Sequence, residues 1–198
     1  MSLLTTCNER FGRVSMHGVR IGLARRQADE IGIPLDVIYL SERPSNDEYE
    51  GKMRDFLLRK KAEGVTAAAF GDIFLEDLRA WREANLAGLG LSGVFPLWRE
   101  NTAALIEEFW SLGFASIVCC ASDAYFGEDA VGKLIDREFV DALPPGVDPC
   151  GENGEFHTFA FRGPIFTRPV PFTIGTTVYR EIGAPHPGGF WYCDLLEP

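Results

Sequence analysis

The densest group of polar residues lies in one short segment of the chain. Residues 151–158 read Gly-Glu-Asn-Gly-Glu-Phe-His-Thr. The two glycines allow the backbone to turn and to come close to a ligand. If Glu155 begins a strand, Glu155 and His157 point to one face, with Glu152 nearby on the turn. A carboxylate beside an imidazole can orient an amine or ammonia, or act as a general base. The same residues also fit a tight hairpin turn with solvated acids.

A second candidate site follows the apolar segment 65–70, which we predict to be a strand covered on both faces. Gly71 and Asp72 come directly after it. Ligands of open α/β sheets bind beyond the carboxyl ends of the strands, so Asp72 is a candidate for a ribose hydroxyl or a magnesium ion. The alternative role of Asp72 is to cap the helix that follows.

A third candidate site is the segment Met16-His17-Gly18, after a predicted strand at 3–6. Here we predict a helix over 15–31, and the amino terminus of a helix favours a phosphate or the edge of a base. A purely structural role for His17 is the alternative.

Two arginines extend the second site along the next predicted helix. Arg79 and Arg82 either face a phosphate or form ion pairs with Glu76 and Glu83 on the helix surface.

The sequence predicts no metal site and no disulfide. Mixed ligands within one loop, as in 151–158, do not define a metal geometry. The cysteines are odd in number, two are adjacent, and no Cys-x-x-Cys pair occurs. We therefore expect free thiols in a reducing cytoplasm. The five cysteines are Cys7, Cys119, Cys120, Cys150 and Cys193.

The elements that position these residues alternate between strand and helix over the first two thirds of the chain. This alternation predicts an α/β fold, with a parallel sheet and helices on both of its faces. A further buried strand, 114–121, ends the alternating region, and short β-like runs rich in Gly and Pro follow from Gly151. We therefore predict an α/β domain over 1–121 and a smaller, β-rich lobe over 122–198.

Composition excludes several classes of protein. The chain has 198 residues, 46% hydrophobic and 24% charged, which is typical of a globular domain and not of a disordered one. No apolar run approaches the ~20 residues of a membrane span, and the first residues do not resemble a secretory signal. The net charge of −10 disfavours a nucleic-acid partner. We expect a cytoplasmic protein without a membrane or nucleic-acid partner.

Taken in order, several segments resemble the diphthine–ammonia ligase family of PP-loop ATP pyrophosphatases, in the form of its bacterial-type members. The segment 151–158 carries the most specific part of this resemblance. The other segments are 3–9, 16–18, 71–78 and 96–98.

The resemblance implies a three-layer, HUP-class (Rossmann-like) nucleotide-binding domain and a C-terminal α+β lobe. It also implies a reaction in which ATP, with Mg, adenylates a carboxylate and ammonia then displaces AMP. The carboxylate is carried by a small molecule or a protein and need not be diphthine. The residues that would border the nucleotide are Met16, His17, Gly71 and Asp72.

The same resemblance assigns the 151–158 segment to the acceptor carboxylate and to ammonia. Glu152, Glu155 and His157 would be the catalytic residues, and Glu155 is the one expected to take a proton from ammonia. The substrate-binding residues would be Gly151, Asn153, Gly154 and Thr158.

The sequence departs from this family at its beginning. Family members start with a strand and a Ser-Gly-Gly-Lys-Asp-Ser loop that cradles phosphates, and this loop does not occur in residues 1–198. We expect a truncated chain that lacks the first, central strand and is inactive by itself. The competing expectation is a natural remnant that closes the gap by strand re-pairing or as a homodimer through an exposed sheet edge.

Two other functions compete with the ligase. The missing phosphate loop favours a non-catalytic protein that binds an adenine nucleotide or another metabolite. A tRNA-modifying PP-loop enzyme is disfavoured by the negative charge and by the lack of a paired catalytic cysteine set.

Overall fold

The fold was determined from a computed structural model, which describes residues 1–181 and 188–198. The first elements are β1 (Leu3–Asn8), β2 (Arg13–Val14), α1 (Ile21–Ile31), β3 (Leu35–Leu40), α2 (Asn46–Ala62), β4 (Ala67–Ala69), α3 (Glu76–Gly88), β5 (Ser92–Val94) and α4 (Thr102–Ser111). The later elements are β6 (Ala115–Ser122), a 3₁₀ turn (Glu128–Ala130), α5 (Arg137–Asp141), β7 (Phe156–Arg162), β8 (Thr173–Glu181) and β9 (Gly189–Leu196).

The N-terminal part contains two small groups of strands. In the first, β1 lies between β2 and β3 and runs parallel to β3. In the second, β4 runs parallel to β5. Parallel strands joined through helices confirm the predicted α/β class, although the parallel strands form two separate groups and not one continuous sheet.

The C-terminal part is built on a separate antiparallel sheet with the strand order β7-β6-β9-β8. The prediction that 114–121 continues the parallel sheet is therefore wrong, because β6 pairs antiparallel with both β7 and β9. A continuous apolar run shows that a strand is buried on both faces, and it does not distinguish a parallel partner from an antiparallel one.

Most of the buried apolar residues gather around this antiparallel sheet. Helix α1 contributes Val19, just before it, and Leu23 to this core, and α4 contributes Ile106. A second, smaller core joins β3 to α2 through Ile38 and Phe56. Helix α1 thus fastens the N-terminal strands to the C-terminal sheet.

Two local predictions are corrected by the structure. The first helix begins at Ile21 and not at residue 15, because Met16 and Gly18 have φ angles of 63° and 71° and cannot be helical. The segment 65–70 is not covered on both faces, since Ala67 and Ala69 in β4 are exposed. Among the described residues, no helix has the length and apolar character needed to cross a membrane.

Candidate functional site

The 148–155 loop is ordered by two carboxylates. Asp148 accepts hydrogen bonds from the amides of Cys150 (2.8 Å) and Glu152 (3.3 Å) through Oδ1. Its own amide donates to Glu155 Oε1 at 3.0 Å. Gly151 has a φ of 69°, and a Cβ there would lie 2.8 Å from the carbonyl oxygen of Phe156. The predicted turn therefore exists and requires glycine at this position.

Glu155 lies in the turn and not in the strand, because β7 begins at Phe156. The condition under which Glu155 and His157 would share one face of a strand is therefore not met. The side chain of Glu155 is 1% exposed. Oε1 also accepts a hydrogen bond from Asn153 Nδ2 at 2.9 Å. Oε2 is buried and has no hydrogen-bond partner among the described residues. A buried oxygen of this kind carries a desolvation cost until a donor reaches it.

Glu152 connects the loop to the turn that follows β4. Its Oε1 accepts hydrogen bonds from the amides of Ile73 (2.7 Å) and Phe74 (3.4 Å). Burial is the main reason why the pKa of Glu152 is raised, and the nearby carboxylates of Asp72 and Asp148 raise it further. Residues 79 positions apart in the chain are thus brought into direct contact.

Asp72 is engaged by an arginine from α3. Arg82 Nε lies 2.7 Å from Asp72 Oδ2, and the guanidinium also lies over the Phe70 ring at 4.3 Å. Asp72 is not the cap of α3, which begins after Leu75 without a side-chain cap. Of the two arginines, Arg79 pairs with Glu83 at 2.9 Å, as one of the two alternatives predicted.

The two predicted histidines are in contact. The rings of His17 and His157 have centroids 4.6 Å apart at an interplanar angle of 34°. Burial lowers the pKa of His157 to about 4, and the neighbouring His17 contributes to this. Burial also lowers the pKa of His17. Both imidazoles are therefore neutral at pH 7, and each retains a nitrogen lone pair that can accept a proton or a hydrogen bond.

A β-bulge in β6 sets the position of His157. Val118 pairs with Thr158 and Cys120 pairs with His157, so Cys119 is the additional residue. Cys119 Sγ donates to the carbonyl oxygen of His157 at 3.3 Å. Burial raises the pKa of the Cys120 thiol to about 12, so this thiol is not a nucleophile near neutral pH.

The turn that carries Met16 and His17 is held against the C-terminal sheet. Arg13 and Arg20 both contact Asp194 of β9, each at 2.8 Å. A Cβ on Gly18 would lie 2.6 Å from the ring of Tyr192. Met16 itself is 60% exposed and forms no part of the histidine contact. Sequence reasoning missed Asp148 and Asp194, and it named Arg82 without its partner Asp72. The contacts of Asp148 lie within its own loop, whereas Asp194 meets Arg13 and Arg20 from a distant part of the chain.

The structure thus brings the predicted residues together in two contacts. Glu152 accepts a hydrogen bond from the amide of Ile73, the residue that follows Gly71 and Asp72, and His157 contacts His17. Asn153, Gly154 and Glu155 lie within the loop between these contacts, while Thr158 pairs with Val118 in the sheet. Among the described residues, no group of three or more His, Cys, Asp or Glu is arranged to hold a metal ion.

Comparison with known proteins agrees with the resemblance found in the motifs. Residues 101–180 match the family model of the diphthamide synthase C-terminal domain. The chain is 29% identical over 173 residues to a diphthine–ammonia ligase of Danio rerio, covering 85% of this chain and 67% of that protein. It is 28% identical over 172 residues to a diphthine–ammonia ligase of Homo sapiens, covering 84% and 63%. The alignments thus span about two thirds of each relative, and they support the family predicted from the motifs.

Proposed function

We propose that the chain, which is similar to diphthine–ammonia ligases, belongs to an ATP-dependent ligase that converts a carboxylate into an amide. ATP supplies the activation: the carboxylate oxygen bonds to the α-phosphorus and pyrophosphate leaves. Ammonia then attacks the acyl carbon, loses a proton and expels AMP. The acceptor is a carboxylic acid, free or carried on a protein.

The observation that carries this proposal is the contact between Glu152 and the turn after β4. Its oxygen lies 2.7 Å from the amide of Ile73, next to the turn expected to border the nucleotide. The loop expected to bind the acceptor and ammonia therefore lies beside that turn. An activated acyl group and an amine can react only if both are held at one place.

Glu155 is the proposed proton acceptor for ammonia. Its Oε2 has no partner within the described part of the chain, whereas Oε1 is held by two donors. The carboxylate is therefore fixed in orientation with one oxygen available for an N–H group. His157, neutral at pH 7 because burial lowers its pKa to about 4, is the second group able to accept a proton.

The residues of this chain suit the nucleoside and AMP end of ATP better than its terminal phosphates. The amides of Ile73 and Phe74, which would suit a phosphate, are already taken by Glu152, and Asp72 is paired with Arg82. Residues 1–198 contain no Ser-Gly-Gly-Lys-Asp-Ser loop. We therefore assign only the nucleoside and AMP end of ATP to these residues and derive no step through Mg²⁺.

The test uses the product of the whole gene with ATP, ammonium and a panel of carboxylic acids. The proposal predicts AMP and pyrophosphate in equal amounts, together with an amide whose formation depends on ammonium. Glu155→Gln should lower amide formation about 10²-fold or more while carboxylate-dependent pyrophosphate exchange persists. Glu138→Gln, on the surface of α5, is the matched control and should leave both rates unchanged. Absence of AMP with every acid would contradict the proposal.

A non-catalytic adenine-nucleotide-binding protein is the second candidate. The occupied amides at Ile73 and Phe74 favour it, because they leave these donors closed to a phosphate. Calorimetry distinguishes the ligase from the non-catalytic binding protein. Equal affinity for AMP and ATP, without turnover, supports the non-catalytic function.

A further inference from the structure

An aspartate near the end of the last strand binds both arginines of the turn that carries His17. Asp194 lies in β9, and its side chain is 16% exposed. Arg20 binds this carboxylate with two donors, Nε at 3.0 Å from Oδ1 and Nη2 at 2.8 Å from Oδ2. Arg13 Nη1 lies 2.8 Å from Oδ1. A bidentate pair is directional, so Asp194 fixes the position of the Arg20 side chain as well as balancing its charge.

The two arginines form the two ends of a narrow turn. Arg13 and Arg20 face each other in an antiparallel bridge. Arg13 Nη1 also donates a hydrogen bond to the carbonyl oxygen of Gly18 at 2.8 Å, which ties the side chain to the second half of the turn. His17 lies between the two arginines in the chain. Asp194 therefore holds both ends of the turn that presents His17.

The antiparallel sheet places His157 against this turn. Cys120 of β6 pairs with Tyr192 of β9 on one side and with His157 of β7 on the other, so the three side chains form one row on the same face. Tyr192 contacts the turn, since a Cβ on Gly18 would lie 2.6 Å from its ring. At the other end of the row, the rings of His17 and His157 have centroids 4.6 Å apart. The turn therefore packs on the row and covers the imidazole of His157.

The protonation of His157 depends on this turn. Burial lowers the pKa of His157 to about 4, and the proximity of His17 contributes to this. The other titratable members of the row stay uncharged near neutral pH, because burial raises the pKa of Cys120 to about 12 and also raises the pKa of Tyr192. A turn released from the sheet would admit water to His157 and would move His17 away. Both changes favour the protonated form of His157.

We propose that Asp194 is a positioning residue that, through Arg13 and Arg20, fixes the turn carrying His17 over the ring of His157. Asp194 does not touch the reacting atoms and acts only through the histidine pair. It thereby keeps His157 available as a proton acceptor at mildly acidic pH. This inference rests on the proposed function for the catalytic use of His157, and on the contacts of the turn for the positioning itself.

NMR titration of the histidine ring signals in the full chain tests this role without ATP or a carboxylic acid. The chain has three histidines, so His17→Gln and His157→Gln assign the signals. In Asp194→Asn, the pKa of His157 should rise from about 4 to roughly 5 or above, toward the 6.5 of an exposed imidazole. Asp129→Asn is the matched control, because it breaks an exposed ion pair with Lys133. This control should leave the pKa of His157 unchanged.

The outcomes separate positioning from a purely structural role and from the proposed function. An unchanged pKa of His157 in Asp194→Asn overturns the proposal, even if that variant is less stable and even if the ligase reaction proceeds. A raised pKa supports the proposal even if no amide is ever formed. If Asp194→Asn does not fold, judged by circular dichroism, Arg13→Gln decides, because Arg20 then still pairs with Asp194. The pKa of His157 should rise in Arg13→Gln as well, and an unchanged value there overturns the proposal.

Discussion

The side chain of Glu152 accepts hydrogen bonds from two backbone amides. Its side chain accepts from Ile73 and Phe74 and so holds the turn after β4 in place. An amide oxygen can also accept these bonds, whereas a methyl group cannot. The difference between Glu152→Gln and Glu152→Ala therefore separates the hydrogen bonds from the charge.

We predict that Glu152→Ala lowers the free energy of unfolding by about 1.5–3 kcal/mol, since hydrogen bonds to a charged group contribute about that much. It should also speed hydrogen exchange at the Ile73 amide. Glu152→Gln should lose less than half as much stability as Glu152→Ala does. Urea unfolding and exchange measured by NMR test this; equal exchange rates at Ile73 in all three proteins would contradict it.

The histidine pair makes the stability of the protein depend on pH. Burial lowers the pKa of His157 to about 4, compared with 6.5 for an exposed histidine. Between these values the unfolded chain binds more protons than the folded chain. The stabilisation is therefore complete above pH 6.5 and is lost as the pH falls toward 4. The raised pKa of Glu152 changes the pH dependence of stability in the opposite direction. A variant is therefore needed to measure the contribution of His157 alone.

We predict that the wild type loses about 1–2 kcal/mol more stability between pH 7 and pH 5 than His157→Gln does. Urea unfolding at both pH values measures this difference. Identical pH dependence in the two proteins would show that His157 does not contribute.

For the ends of helices, patterns formed by neighbouring residues agree with the structure. Ser45 and Glu48 have the spacing of a capping box, and the Glu48 amide donates a hydrogen bond to Ser45 Oγ at 3.1 Å. Asn101 caps α4 through the amide of Ala104 at 2.9 Å. Gly32, with a φ of 76°, ends α1, and glycine is the residue type that most readily adopts this conformation. In each case the residues that decide the structure lie within four positions of one another.

Signals that depend on distant partners were not available from the sequence. Nothing in the run 114–121 indicates that β7 and β9 are the partners of β6. Met16 has a positive φ and α1 begins only at Ile21, whereas methionine is not a residue type that signals such a conformation. The pairing of Arg82 with Asp72 joins α3 to a turn ten positions earlier, where a cap was the simpler expectation.

The loop between α5 and β7 offers a prediction with a matched control. Gly151 and Gly154 both have positive φ, but a Cβ on Gly151 would lie 2.8 Å from a carbonyl oxygen, while that on Gly154 meets nothing within 4 Å. Gly154→Ala should cost about 1 kcal/mol for its backbone conformation alone. Gly151→Ala should cost about 1–3 kcal/mol more, because the loop must shift. Thermal unfolding compares them; equal loss of stability would show that the contact with Phe156 is unimportant.

At the scale of the whole molecule, the candidate site joins the N-terminal strands to the C-terminal sheet. Asp194 in β9 binds Arg13 and Arg20, and Gln27 of α1 donates to the carbonyl oxygen of Ala160 at 2.6 Å. The motif 151–158 was recognisable from the sequence because its residue types are concentrated in one loop. Its contacts with Ile73 and His17 were expected only through the family resemblance, since the folded chain alone brings them together.

The C-terminal sheet ends in an edge that suits self-association. Strand β8 has nine residues, only β9 beside it among the described strands, and exposed side chains at Ile174 and Val178. Long exposed edges readily pair with another strand. We predict a homodimer in light scattering, and a monomer for Val178→Lys. A monomeric wild type at micromolar concentration would contradict this prediction.

We propose that the 151–158 loop and the turn at Gly71 and Asp72 form one site for an adenine nucleotide and its reaction partners. Titration of the ¹⁵N-labelled full chain with AMP, followed by NMR, tests it most directly. The claim predicts that the amides of His17, Ile73 and Glu152 shift together along one binding curve. Shifts confined to the cavity near Arg26 and Arg168, or no shift with millimolar AMP, would contradict it.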